Sequence, residues 1–220
     1  MADSTPSPDP VAPYRDAVAR FGPKFEALLW AKPAAQVARF DAIIDLVRTE
    51  GAVIADIGCG LADLAARLDA REAGHTTYVG VDALGELIDE ASARTTPLEG
   101  APRKFLQADF GADEGVFARL VEHQHARVFV FSGSLNTFEQ DAAAEVLGRA
   151  WEAVSGVPGG QLAFNFLSTR HHRPGPDNTA PAVRFDPLGL LDWALARTPL
   201  VRFRQDHLHG HDGLIWMAGP

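Results

Sequence analysis

The stretch Val53-Ile-Ala-Asp-Ile-Gly-Cys-Gly-Leu-Ala-Asp-Leu-Ala-Ala-Arg-Leu68 constrains this chain more than any other. An apolar run meets Gly58 and Gly60 and passes at once into a helical pattern with Leu61, Leu64, Ala65 and Leu68 on one face. A strand that turns at glycines straight into a helix is the opening of a βαβ unit, which needs a parallel sheet with helices packed against it. The pattern repeats. Strands are predicted at Ala52–Ile57, Thr76–Val81, Lys104–Gln107, Arg127–Phe131 and Gln161–Leu167, with two more at Leu200–Arg204 and Leu214–Ala218.

Helical segments are predicted at Tyr14–Phe21 and Pro33–Thr49, ahead of the first strand. In the second, Val37, Phe40, Ile44 and Val47 form the expected buried stripe, with Gln36 and Arg39 neighbours on its flank. Thr137-x-x-Gln140 reads as a capping box opening a helix with Ala143, Val146, Leu147, Ala150 and Val154 on one face. Asp186-Pro187 supplies an N-cap and a first-turn proline for a helix with Leu188, Leu191 and Leu195 in register.

With 220 residues and 46% hydrophobic content, the chain suits one domain with a substantial core, read here as residues 11–220 behind a disordered tail at 1–10. Within it, 11–50 is expected as a helical cap and 168–186 as a long loop beside the site. A net charge of −9 provides no basic footprint for nucleic acid or an anionic membrane. The start of the sequence has no apolar stretch behind a basic flank, and no run approaches the length of a membrane span. The single Cys59 suits a reducing compartment, so a cytoplasmic protein is expected.

In an open parallel sheet, ligands bind beyond the carboxyl ends of the strands. A dinucleotide turn would read G-x-G-x-x-G, but Asp63 stands at the third glycine position. Its charge in the first helical turn opposes a pyrophosphate there, and Asp56 adds a second carboxylate. A cationic or zwitterionic ligand fits better.

Asp56-Ile-Gly58-Cys-Gly60-Leu-Ala62 resembles the D-x-G-x-G-x-G/A motif of class I S-adenosylmethionine (SAM) methyltransferases, with Ala62 in place of the usual third glycine. Tyr78-Val-Gly-Val-Asp82 resembles the second strand of that family, whose terminal acid receives the ribose hydroxyls. Phe105-Leu-Gln-Ala-Asp109-Phe110 resembles the third-strand motif, whose acid meets the adenine amino group. Val157-Pro-Gly159-Gly160 resembles the turn into strand five. Trp30, Gln36, Arg39-Phe40, Ser132-Gly-Ser134-Leu-Asn136 and Phe164-Asn165-Phe166-Leu-Ser168 resemble a little-characterised bacterial subgroup of the family.

The resemblance implies a three-layer Rossmann-like α/β fold. Its seven-stranded, mostly parallel sheet has the order 3-2-1-4-5-7-6, with the last strand antiparallel, under the N-terminal helical cap. It implies SAM as cofactor, held by Asp56, Gly58, Cys59, Gly60, Asp82, Ala83, Asp109, Phe110 and Ser132. Arg39 is expected to clasp the methionyl carboxylate bidentately. A small-molecule acceptor is expected, because the D/N-P-P-Y/F motif of many amino-directed DNA methyltransferases is absent from strand four. Ser134, Asn136, Asn165 and His171 are the expected acceptor contacts.

His207-x-His209-x-His211-Asp212 precedes the last strand, and alternation in an extended segment would align the three histidines. A metal site, a general base and a solvated loop compete there. No metal is expected, and His211 paired with Asp212 is the expected base. Two rival functions stay open: a SAM-binding protein without transferase activity, and an NAD-dependent oxidoreductase.

Overall fold

In a computed structural model, which describes residues 9–94, 101–172 and 179–219, every strand belongs to one sheet. The elements are α1 (Ala12–Phe21), α2 (Pro33–Ile44), β1 (Val53–Ile57), α3 (Asp63–Ala70), β2 (Thr77–Asp82), α4 (Gly85–Arg94) and β3 (Arg103–Gln107). They continue with α5 (Val116–Gln124), β4 (Val128–Phe131), α6 (Gln140–Ser155), β5 (Gln161–Ser168), β6 (Arg184–Phe185), α7 (Pro187–Leu195), β7 (Val201–Arg204) and β8 (Asp212–Ala218).

The sheet runs β3-β2-β1-β4-β5-β8-β7, with β8 antiparallel to both neighbours. Counting the seven longer strands along the chain, this is the expected 3-2-1-4-5-7-6 order. The two-residue β6, which pairs with the end of β5 through Leu167–Arg184 and Ser168–Phe185, was not anticipated. β1, β2 and β4 are parallel, and the order in which the chain adds strands reverses between β1 and β4, so their carboxyl ends open onto a common crevice.

Each face of the sheet carries its own apolar layer. Val79, Val81, Phe129, Phe131, Phe164 and Phe166 pack against α5, α6 and α7. Ile54, Tyr78, Val128, Val130, Leu214 and Trp216 pack against α2, α3 and α4. A sheet covered on both faces reads as near-continuous apolar runs, as β4 (Val-Phe-Val-Phe) does. A smaller third cluster places Ala17 and Val18 of α1 on Leu61, Leu84 and Leu87.

Of the two N-terminal helices expected as a cap, α1 lies across the strand ends. By contrast, α2 is a sheet-flanking helix that buries Phe40, Ala42 and Ile43. Phe40 and Val47 of the expected stripe are buried, but Val37 is exposed, and the expected flank residues Gln36 and Arg39 are buried instead. In α7 the buried residues are Pro187, Leu190 and Ala194, while Leu188 (53% exposed) and Leu195 point outward. Asp186 caps that helix as expected, accepting from Leu188 N and Gly189 N.

The Thr137 capping box does not form. The hydroxyl donates to Pro10 O at 2.8 Å, and α6 starts at Gln140 without a side-chain cap. The same bond ties Pro10, expected in the tail, to the domain. Residues 1–8 of the expected tail and 173–178 of the expected loop lie outside the described residues.

Candidate functional site

The turn after β1 is fixed from both sides. Gly58 N and Cys59 N both donate to Val81 O, at 2.8 and 2.9 Å, clamping the turn to β2. Gly58 has φ +77°, and a Cβ there would come within 2.3 Å of the Ser134 Cβ. Only glycine meets both demands. Ala62 N-caps α3 at φ +58°, a left-handed conformation costing an alanine about 1 kcal/mol, so the third small position is met by a strained residue.

Above this turn lies a cavity of 840 Å³, within the range of small-molecule sites. Its wall includes Asp56, Gly58, Cys59, Gly60, Asp82, Ala83, Phe110, Ser132, Ser134 and Asn136, all expected from sequence. Asp82 is held by the turn, with Oδ2 accepting from Gly60 N (2.9 Å) and Oδ1 from Leu84 N (3.0 Å). Each oxygen keeps a second lone pair. Burial raises the Asp82 pKa against the pull of these backbone donors.

Asp56 is buried, and burial pushes its pKa up to about 7. The Tyr78 hydroxyl, donating to Oδ2 at 2.6 Å, pulls it down, while the charges of Asp82 and Asp63 add to the rise. At neutral pH this carboxyl is therefore poised between forms, and a cation beside it would complete its ionisation. Burial also raises the Cys59 thiol well above its usual value, so it is a neutral, small wall residue and no nucleophile.

Among the described residues, the wall residues Ser132, Ser134 and Asn136 each have a buried oxygen with no partner: Ser132 Oγ, Ser134 Oγ and Asn136 Oδ1. Orphaned groups of this kind are rare in a packed interior. Together with the Asp56 and Asp82 carboxylates they suit a ligand rich in hydroxyl and ammonium donors, the donor set that SAM presents.

Four expected residues are placed differently. The Arg39 guanidinium does not face a ligand carboxylate: it grips Asp212 bidentately, through Nε to Oδ2 and through Nη2 to Oδ1 (2.8 Å). Its third nitrogen reaches Ala35 O, and Trp30 covers it at 4.7 Å. Asp212 is consequently not the partner of His211. Its side chain follows the period of β8, on the face of Leu214 and Trp216 that packs on α2.

Asn165 is absent from the cavity wall, because β5 turns it onto that same face. Its Nδ2 donates to Asp212 Oδ2 (3.2 Å), and its Oδ1 accepts from Gly133 N (2.8 Å). The pair is therefore a brace running from α2 through β8 and β5 to the loop after β4. Asp109 is also absent from the wall. Its Oδ1 closes the turn that follows β3, accepting from Gly111 N and Ala112 N, and Phe110 alone of that motif faces the cavity.

The histidines do not align. Residues 208–210 form a tight turn with Leu208, His209 and Gly210 at φ +50°, +57° and +67°. Left-handed backbone costs each non-glycine residue about 1–2 kcal/mol. His209 and His211 line the cavity, whereas His207 lies behind it with burial lowering its pKa. His211 Nδ1 is 3.2 Å from Arg184 Nη2, and its ring meets His171 edge-on at 6.2 Å. His171 itself is not in the wall. Among the described residues, no group of three or more His, Cys, Asp or Glu side chains could hold a metal ion.

Several wall residues went unpredicted. Tyr14 roofs the cavity from α1, with its hydroxyl donating to Gly133 O at 3.4 Å and its pKa pushed by burial to about 12. Trp30 presses so closely on Gly133 that a Cβ there would lie 2.5 Å from its ring. Lys32 and Leu208 complete the far side. Trp30 was noted in the sequence only as part of the subgroup resemblance; Tyr14 sits in the regular helix α1, whereas Lys32 and Leu208 hold extended and left-handed backbone.

No protein-family model matches the sequence, and no curated protein does. Solved structures do resemble the fold. Human N-acetylserotonin methyltransferase in complex with SAM matches with a TM-score of 0.66 at 15% identity, covering 96% of this chain and 61% of that one. An O-methyltransferase family protein from Burkholderia thailandensis gives 0.59 at 20% identity over 96% and 72%. The DhpI–SAH complex gives 0.60 at 16% identity over 96% and 95%. At these identities the likeness is one of fold: the chain folds as methyltransferases do. It spans about three-fifths of the human protein.

Proposed function

We propose that this chain binds SAM in the 840 Å³ cavity and directs its methyl group to a small-molecule acceptor. The observation that carries this reading is the convergence, on one wall, of the glycine turn, the Asp56 and Asp82 carboxylates and the unpartnered Ser132, Ser134 and Asn136 oxygens. When bound, SAM supplies an activated methyl on a sulfonium.

The chain's own part is to bind, orient and exclude water. Asp82, already fixed by two backbone donors, offers its free lone pairs to a vicinal diol. Asp56 faces the ammonium end, and Phe110 gives an apolar surface for the base. Arg39 acts at one remove: with Asp212 and Asn165 it fixes the Gly133 loop that carries Ser132 and Ser134. Tyr14, Trp30 and Leu208 keep water from the acceptor side. His211 lies at the wall beside Arg184, whose guanidinium can only donate to Nδ1; the ring proton then sits on Nε2, so we assign His211 to orienting an acceptor by donation and not to proton removal.

The reading is of a cytoplasmic bacterial enzyme that acts on a metabolite and not on nucleic acid, in keeping with the net charge of −9. A dinucleotide is opposed by Asp63 in the first turn of α3, where it accepts from Gln36 Nε2 at 3.2 Å. A screen of small hydroxyl, amine and thiol acceptors with methyl-labelled SAM tests the reaction. Label on at least one acceptor is expected. Firm SAM binding without transfer to any class would favour a binding protein without transferase activity.

A further inference from the structure

The cavity is divided in its charge, and the division follows the sheet. On the β1–β2 side the ionisable wall residues with an acidic group are Asp56 and Asp82. On the side of β4, β5 and β8, roofed by the segment before α2, the ionisable wall residues are Lys32, Arg39, His209 and His211. No carboxylate lines this second half among the described residues. Arg39 is neutralised by Asp212, and His211 faces Arg184. Lys32 and His209 make no ion pair and no side-chain hydrogen bond with any described residue. In a chain of net charge −9, an all-basic half-cavity is an inversion of the surface around it.

Two further features point the same way. The twelve-residue α2 begins immediately after Lys32, has no side-chain cap and no acid in its first turn, and exposes Ala34 and Ala35 to the cavity. Its positive dipole end therefore opens on the space beside the Lys32 ammonium. His209 lines the same cavity from a turn in which Leu208 and His209 both hold left-handed backbone, a strained placement that the surrounding fold maintains. Ser132, 8% exposed, lines the same cavity, and its Oγ has no partner among the described residues.

We propose that the acceptor is an apolar small molecule bearing a carboxylate, which binds at Lys32, His209 and the α2 N-terminus with its body against Trp30 and Leu208. This rests on reading the cavity as a methyl-transfer site and adds the class of molecule to be methylated. The carboxylate exchanges water for a charged donor, an N–H of imidazole and the helix end. The apolar body covers side chains that otherwise face solvent. An ammonium-bearing acceptor would meet repulsion in the same place.

The test is a fluorescence titration of the full chain, saturated with S-adenosylhomocysteine, with 4-hydroxyphenylacetate, its carboxamide and tyramine. These probes share a ring and differ in charge. The acid is expected to bind roughly fivefold tighter than the amide, with tyramine weakest and the preference shrinking in high salt. Lys32→Gln should erase the acid preference and Lys32→Arg restore it, both with unchanged S-adenosylhomocysteine affinity. Tighter binding of the amide or tyramine, no binding of any probe, or an acid preference that survives Lys32→Gln would overturn the proposal. Acid preference in a chain that fails to bind S-adenosylhomocysteine would instead sink the SAM reading and leave the anion subsite standing.

Discussion

Replacing Arg39 by alanine is expected to destabilise the fold by about 3–5 kcal/mol, the usual consequence of stranding one member of a buried ion pair. Asp212 is fully buried (0% exposed) and Arg39 nearly so (5%). Without the guanidinium, the carboxylate keeps only the Asn165 amide, at 3.2 Å, and burial far outweighs that single bond. Because Asn165 also holds Gly133 N, the loss should spread to the loop bearing Ser132 and Ser134 and weaken ligand binding as well. The double variant Arg39→Met/Asp212→Asn removes the charge along with its partner. It is expected to recover more than 1 kcal/mol relative to Arg39→Met alone, measured by urea denaturation. Additive losses would mean that the two residues do not act as a pair.

Asp56→Asn should have effects of opposite sign on stability and on binding. Burial lifts the folded-state pKa of Asp56 from 3.8 to about 7. Between those values the folded chain holds a proton that the unfolded chain releases, so the group's contribution falls as pH rises and stays lost above 7. The full loss is on the order of 4 kcal/mol. Asparagine cannot ionise and still accepts from the Tyr78 hydroxyl. The variant is therefore expected to melt above the parent at pH 8, by about 5–10 °C, and level with it near pH 4. At the same time its affinity for SAM should fall by about tenfold or more at pH 8, since the ammonium loses its counter-charge. Thermal denaturation at the two pH values and one titration decide it; a variant that melts lower at pH 8 would show that Asp56 is not held in the strained, buried setting described here.

The sheet was legible because strands and helices alternate and the Gly58–Gly60 turn fixes where the first of them ends. The predicted strand limits differ from the observed ones by one or two residues. The cavity wall was legible in part for the same reason: Asp56, Asp82 and Phe110 stand at or just beyond strand ends, where a local motif is enough to place them. Arg39, Asn165 and Asp212 were placed differently because their meeting is tertiary, with Arg39 and Asp212 173 positions apart. The signal was present in the period of β8, since Leu214 and Trp216 put Asp212 on the α2 face and turn it away from His211. Asp109 looked like a ligand acid, but an aspartate two residues ahead of a glycine satisfies its own turn first. The histidine run hid a tight turn that Gly210 alone hinted at, and with it the placement of His209.

The central claim is that this cavity is a SAM site. Calorimetric titration of the chain with S-adenosylhomocysteine and with NADH, for the parent and for Asp82→Ala, addresses it most directly. The account predicts one-to-one binding of S-adenosylhomocysteine by the parent, a loss of about tenfold or more in Asp82→Ala, and no heat from NADH. Binding of NADH alone, or S-adenosylhomocysteine binding that Asp82→Ala leaves untouched, would contradict it.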